Sequence, residues 1–166
     1  MRRCVNCGEP AKVVRQDYEF TESGLSNVVL KNIEVVRCPG CGEVAPRIPR
    51  LSDLMMTLAA ALVAKPYELS GEEIRFLRKY SGMTAAEFAE LLSADPSTLS
   101  RWENEAQKPG QQSDKLIRVI ALERGEGLKT KLQSIVDYFK DIKKASKRIR
   151  LSVNPETGKV DYKEAA

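Results

Sequence analysis

Three features of the chain predict an α+β fold in which a small β-rich N-terminal part precedes an all-α part. Two C-x2-C pairs, Cys4/Cys7 and Cys38/Cys41, bracket β-branched sequence. After Pro46 and Pro49 the composition turns from strand formers to helix formers. From Ser70 onward, signatures of helix starts follow one another closely.

The strands come first. Residues 11–20 and 28–36 are β-branched and partly alternating, with Glu22-Ser23-Gly24 in the break, which predicts two strands of a small sheet. Residues 51–65 have helical spacing (Leu51, Leu54, Met55, Leu58, Leu62) and stop before Lys65-Pro66, where proline ends a helix. Ser70-Gly71-Glu72-Glu73 and Thr84-Ala85-Ala86-Glu87 are capping boxes, and Asp95-Pro96 joins an N-cap to a first-turn proline. These predict helices over 70–80, 85–92 and 96–104, with only Ser93-Ala94-Asp95 between the last two, the connection of a helix-turn-helix. A further helix is expected over 113–124 and another after Gly125-Glu126-Gly127, striped by Leu128, Leu132, Ile135, Val136, Phe139 and Ile142. A short hairpin closes the chain over 148–162, and because an isolated hairpin is barely stable it must dock or fray. The expected organisation is a ribbon over 1–49, a helical linker over 50–66, a helix-turn-helix domain over 67–125, and a basic helix and hairpin extension over 126–166.

Composition narrows the function. With 166 residues, 42% hydrophobic and 30% charged, the chain can bury one ordinary core or two small ones. The absence of histidine removes Ser-His-Asp and Cys-His catalysis, and no other catalytic constellation appears, so a non-enzymatic protein without a small-molecule substrate is expected. The longest apolar run, residues 54–64, is too short for a membrane span of about 20 residues. The start carries no secretory signal, and a cytoplasmic protein is expected. Residues 1–50 hold 8 basic and 6 acidic side chains, 51–125 hold 9 and 11, and 126–166 hold 10 and 6, so the last segment is the basic one. A net charge of +4 is too mild to argue for nucleic acid unaided.

Each cysteine pair has a glycine directly after it, Gly8 and Gly42. Two thiolates three positions apart at a glycine turn can face one point, and two such turns supply four sulfur ligands. Zinc favours that closed tetrahedral cage, which leaves no position for a reacting water, so Cys4, Cys7, Cys38 and Cys41 are expected to hold a structural zinc ion. The competing readings are paired disulfides, which a reducing cytoplasm disfavours, a redox C-x-x-C, and iron in the same cage. About 50 residues bury too little apolar area to fold without such a staple. The whole segment reads as a zinc ribbon whose exposed strand edges could receive a partner chain.

Gly82-Met83-Thr84-Ala85-Ala86-Glu87-Phe88-Ala89-Glu90-Leu91-Leu92 with Ser97-Thr98-Leu99-Ser100-Arg101-Trp102-Glu103-Asn104 resembles the Xre/Cro family of DNA-binding domains. With the four-cysteine ribbon in front, the order over roughly residues 1–124 is similar to the MqsA-type antitoxins. The resemblance implies a zinc domain that binds a toxin and a dimeric helix-turn-helix that represses its own operon. It places Pro96, Ser97, Thr98 and Arg101 on the helix that enters the major groove, and Thr84, Ala85 and Asn104 at phosphate contacts. Ala85 departs from the pattern, since many relatives carry glutamine there, and Pro96 cannot bond a base. Elementary chemistry agrees in part: residues 97, 98 and 101 share a helix face, and a guanidinium bonds two acceptors of guanine at once. Trp102 is expected to pack at the domain edge rather than on a base. The family pattern pairs Glu103 with Arg78. The two-sided apolar pattern of residues 113–124 suggests a homodimer reading a palindromic operator, with half-sites about 34 Å apart. The rivals are a stand-alone regulator whose ribbon senses metal, and a scaffold whose helix-turn-helix contacts only protein.

Overall fold

The structure, a computed structural model, describes residues 2–132 and 135–165; Gln133 and Ser134, and the side chains of Arg2, Thr130, Lys131, Ile135 and Val136, lie outside it. The chain is α+β. Strands β1 (Arg2–Arg3), β2 (Pro10–Glu19), β3 (Val28–Arg37) and β4 (Val44–Pro46) precede helices α1 (Leu51–Ala64), α2 (Gly71–Tyr80), α3 (Ala85–Leu91), α4 (Pro96–Glu103) and α5 (Gln111–Arg124). Two single-turn helices, α6 (Leu128–Lys131) and α7 (Ile135–Tyr138), lead to strands β5 (Ile149–Val153) and β6 (Val160–Glu164). Among the described residues no helix is long and apolar enough to cross a membrane.

Strand β3 organises the sheet. One edge pairs antiparallel with β2 from Lys12↔Arg37 to Glu19↔Val29. The other edge is shared: residues 35–37 pair antiparallel with β4, and residues 28–30 pair in parallel with Leu151–Val153 of β5. A bulge between Gln16 and Tyr18 re-aims β2. It is fixed by Asp17, whose carboxylate accepts the Lys31 ammonium at 2.6 Å and the Asn32 amide at 3.1 Å, where Asn32 has φ 52°. These bonds hold the Asp17 carboxyl below the usual carboxylate range.

The C-terminal hairpin therefore docks. It extends the N-terminal sheet in the order β1-β2-β3-β5-β6, and the Tyr162 hydroxyl donates to the Ala61 carbonyl of α1 at 2.6 Å. The single helix expected after Gly127 is replaced by two separate turns. Leu132 is already extended (φ −115°, ψ 108°), and farther on the segment is drawn to the connection between α1 and α2, where Lys143 N–H donates to Pro66 O and Glu68 N–H to Lys143 O. Short helices are marginal without packing, so an apolar stripe does not fix their length. Ile135 and Val136 of that stripe have side chains outside the described residues.

One apolar cluster runs through the molecule. Phe20, Leu25, Val28, Leu30, Leu151 and Val153 of the sheet side meet α1, which meets Ile74, Leu77, Phe88, Leu99 and Ile117. The segment expected to link two parts is buried along much of its length, with Leu58, Ala59, Leu62 and Val63 fully enclosed. Each of these leucine and valine side chains contributes about 1.5–3 kcal/mol by leaving water. Both capping boxes form, at Ser70/Glu73 and Thr84/Glu87, and the Asp95 side chain accepts Ser97 N–H ahead of Pro96.

Several buried polar groups close backbone ends. Arg118, fully enclosed, bonds Asp114 at 2.7 Å and donates to the carbonyls of Leu62, Val63, Lys65 and Tyr67, closing the C-terminal end of α1 and the turn after it. Arg118→Ala strips the partner from a buried carboxylate and several carbonyls. It is expected to cost about 3–5 kcal/mol in urea unfolding, with the m-value unchanged.

Candidate metal centre and the α3–α4 surface

Two matching turns bring the cysteines together. In the first, Cys4 N–H donates to Glu9 O at 2.8 Å and Gly8 N–H to Cys4 O at 3.0 Å; in the second, Cys38 N–H donates to Glu43 O at 2.9 Å and Gly42 N–H to Cys38 O at 3.0 Å. Gly8 and Gly42 have φ of 77° and 76°, and a Cβ added at either meets nothing. The demand for glycine is therefore conformational, not spatial.

The four sulfurs lie within 4.8 Å of one another, a site that can hold a metal ion. Cys4 and Cys41 sulfurs are 3.6 Å apart, and those of Cys7 and Cys38 3.4 Å. A tetrahedral cage with bonds of about 2.3 Å sets its sulfurs about 3.8 Å apart, so the spacing fits, whereas all four cysteines are free of disulfides. Amides support the sulfurs: Asn6 N–H donates to Cys4 Sγ at 3.4 Å, and the Asn6 side chain to Cys41 Sγ at 3.8 Å. Cys38 is pulled down to about 7, first by the Cys41 amide, with help from Cys7 and the Gly40 amide. Cys7 goes the other way, up to about 12: the Glu9 backbone bond lowers it, but the sulfurs of Cys38, Cys41 and Cys4, with desolvation, outweigh that. The Cys7 thiol therefore stays protonated beside its neighbouring sulfurs, and a cation at their centre would let it ionise.

The second candidate surface is the outer face of α3 and α4, joined by residues 92–95 with Ser93 at φ 50°. Pro96, Ser97 and Arg101 are exposed and Thr98 half-buried. The Arg101 side chain makes no hydrogen bond or ion pair among the described residues, though the Asp95 carboxyl, held low chiefly by Ser97, lies within its field. By contrast Arg75, Arg78 and Arg118 are all committed to acidic partners.

The flanking residues are more constrained. Thr84 and Ala85 are exposed, but the Thr84 amide and hydroxyl both donate to Glu87, whose carboxyl they hold low. Asn104 accepts from Arg75 at 2.7 Å and donates to Ser100 at 3.3 Å, so its amide is held before any ligand arrives. Trp102 is buried, as expected. The Arg78–Glu103 bridge forms at 2.6 Å, and Arg75, which the sequence reading passed over, joins it from one turn earlier. The signal was present: residues 75 and 78 are three apart on one face of α2. Gly71 is what lets α4 reach α2, since a Cβ there would stand 2.6 Å from the carbonyls of Trp102 and Glu103.

Comparison with protein-family models, curated proteins and solved structures finds no match to this chain. The geometry alone defines what is present: a four-sulfur metal-type site on a sheet that shares its core with a five-helix layer.

If the sulfurs hold a metal, the protein purifies with about one equivalent per chain. Elemental analysis checks this, with Cys38→Ser expected to lose the metal and Gly42→Ala to weaken its retention by about 1–2 kcal/mol. Metal-free protein from both variants that keeps wild-type sheet content would contradict a folding role.

Proposed function

We propose that this chain is a DNA-binding repressor serving as the antitoxin of a toxin–antitoxin pair, with zinc on the four thiolates. The α3–α4 pair acts as a helix-turn-helix, and α4 is the helix that enters the major groove. The observation that carries the reading is Arg101: exposed, unpaired among the described residues, and on the face it shares with Ser97 and Thr98, while the neighbouring Arg75 and Arg78 are tied to Glu103. A guanidinium held free at that place is suited to guanine, and Ser97 and Thr98 hydroxyls to bases or phosphate. Thr84, Ala85 and Asn104 flank the phosphate path. The capping Glu87 opposes an anion there, so the backbone amides of α3 contribute little, and charge on the basic C-terminal part supplies the neutralisation.

Zinc is favoured because the donor set is all sulfur and no ligand position is open. The toxin would add to the sheet: β1 covers only Pro10 and Ala11 of β2, leaving the remaining edge beside exposed Val13 and Val14 for another strand. A second copy would meet α5 at Leu116, the exposed apolar residue of that helix, giving a homodimer on a palindromic operator. The cytoplasm keeps the thiols reduced for the metal.

The test is a mobility-shift titration on the DNA upstream of the protein's own gene, at two salt concentrations. Wild type is expected to bind with marked salt dependence, and Arg101→Ala to lose about 1–3 kcal/mol with its fold intact. Equal binding of wild type and variant would remove DNA reading by α4. Absence of a co-purifying partner when the neighbouring gene is expressed would leave a repressor without the antitoxin role.

A further inference from the structure

Where α2 and α4 meet the approach to the hairpin, a cavity of about 370 Å³ opens, a size that takes a small organic molecule. Its wall includes the first residues of α2, the loop after α4, and the irregular segment 145–148. Two side chains of this wall, Asn27 and Trp102, are 5% and 7% exposed, and each carries one polar atom with no partner: Oδ1 of Asn27 and Nε1 of Trp102. The orientation of Asn27 is set by its Nδ2, which donates to Glu73 at 3.0 Å and to Ile149 O at 2.7 Å. The wall thus holds one pure acceptor and one pure donor that nothing among the described residues satisfies, whereas buried polar groups are nearly always paired.

The charges point the same way. Of the ionised groups around the cavity, Lys65 pairs with Glu73, Lys108 with Glu68, and Arg148 with Glu72. Lys147 and Glu105 are left without an ion-pair partner among the described residues, though Glu105 accepts the Gly71 amide. Leu69, Ile149 and the Trp102 ring supply apolar wall. The complement to one free cation, one free anion, one acceptor, one donor and an apolar lining is a small zwitterion with an apolar side chain.

We propose that this cavity binds a free apolar L-amino acid. Its ammonium supplies the donors that Asn27 and Glu105 lack, and its carboxylate the acceptors that Trp102 and Lys147 lack. Neither orphaned atom exposes surface in this conformation, so seating the ligand shifts the wall slightly.

Trp102 is the single tryptophan of the chain, so its emission reports the site directly. The full-length protein is titrated with L-leucine and L-methionine, with D-leucine and glycine as controls, and followed by Trp102 fluorescence and by calorimetry. The expected result is saturable binding of an L-amino acid with Kd below about 1 mM, weaker for the controls. Lys147→Glu, at an exposed position, is expected to raise Kd about tenfold or more, and Ala145→Phe to abolish binding by filling the cavity, each with an unchanged circular dichroism spectrum. No response up to about 10 mM, a response equal for D- and L-leucine, or binding undiminished in Lys147→Glu would overturn the proposal and leave the cavity to water. No DNA enters this experiment, so its failure leaves the reading of α4 untouched.

Discussion

One buried carboxylate holds the parts of this molecule together. Glu73 is fully enclosed, and its oxygens accept the Lys65 ammonium at 2.6 and 2.9 Å, the Ser70 amide at 2.8 Å and the Asn27 side chain at 3.0 Å. Lys65 lies at the end of α1, Ser70 starts α2, and Asn27 leads into β3 and bonds the first residue of β5. The sheet, the central helix and the helical layer therefore converge on a single ionised group. A charge taken this far from water is tolerable only when every lone pair is met, and such a node favours one arrangement over others. Arg118 repeats the device close by, binding Asp114 and the carbonyls around the end of α1.

That convergence shapes what either candidate surface can do. The four sulfurs sit at the far end of strands whose other ends carry the hairpin, and the hairpin touches the wall of the cavity against which Trp102 of α4 lies. Arg75 and Arg78, anchored on Glu103, fix the tilt of α4 on α2, and Gly71 permits their close approach. The outer face of α4 is consequently presented on a braced support. The metal-type site lies at one end of a small sheet, and that sheet shares its apolar core with the helices.

Much of this was legible locally. Capping signatures at Ser70, Thr84 and Asp95 located three helix starts to within a residue, because a cap is a short-range contact written in adjacent letters. Gly8 and Gly42 marked the sulfur turns for the same reason. What stayed hidden was long-range. Nothing in residues 149–153 announces a parallel pairing with residues 28–30, since parallel partners need no turn between them. The Lys65–Glu73 pair was masked by the capping role of Glu73, one carboxylate serving two purposes. The stripe from Leu128 to Ile142 had helical period, yet Leu132 is already extended and the backbone of Lys143 is bonded to Pro66 and Glu68. Asn104 stood as a phosphate contact, with nothing nearby in the sequence to show that Arg75 already bonds it.

The central claim is that the sulfur-bearing sheet and the helical layer form one body pinned at Glu73, and equilibrium urea unfolding watched by two probes tests it most directly. Trp102 emission follows the helices, and the reactivity of the buried Cys4 and Cys38 thiols follows the sheet. Coincident transitions are predicted, because the shared core and the Glu73 node cannot be lost from one part alone. Thiols that open at a distinctly lower urea concentration while Trp102 remains native would show two independent bodies and contradict the account.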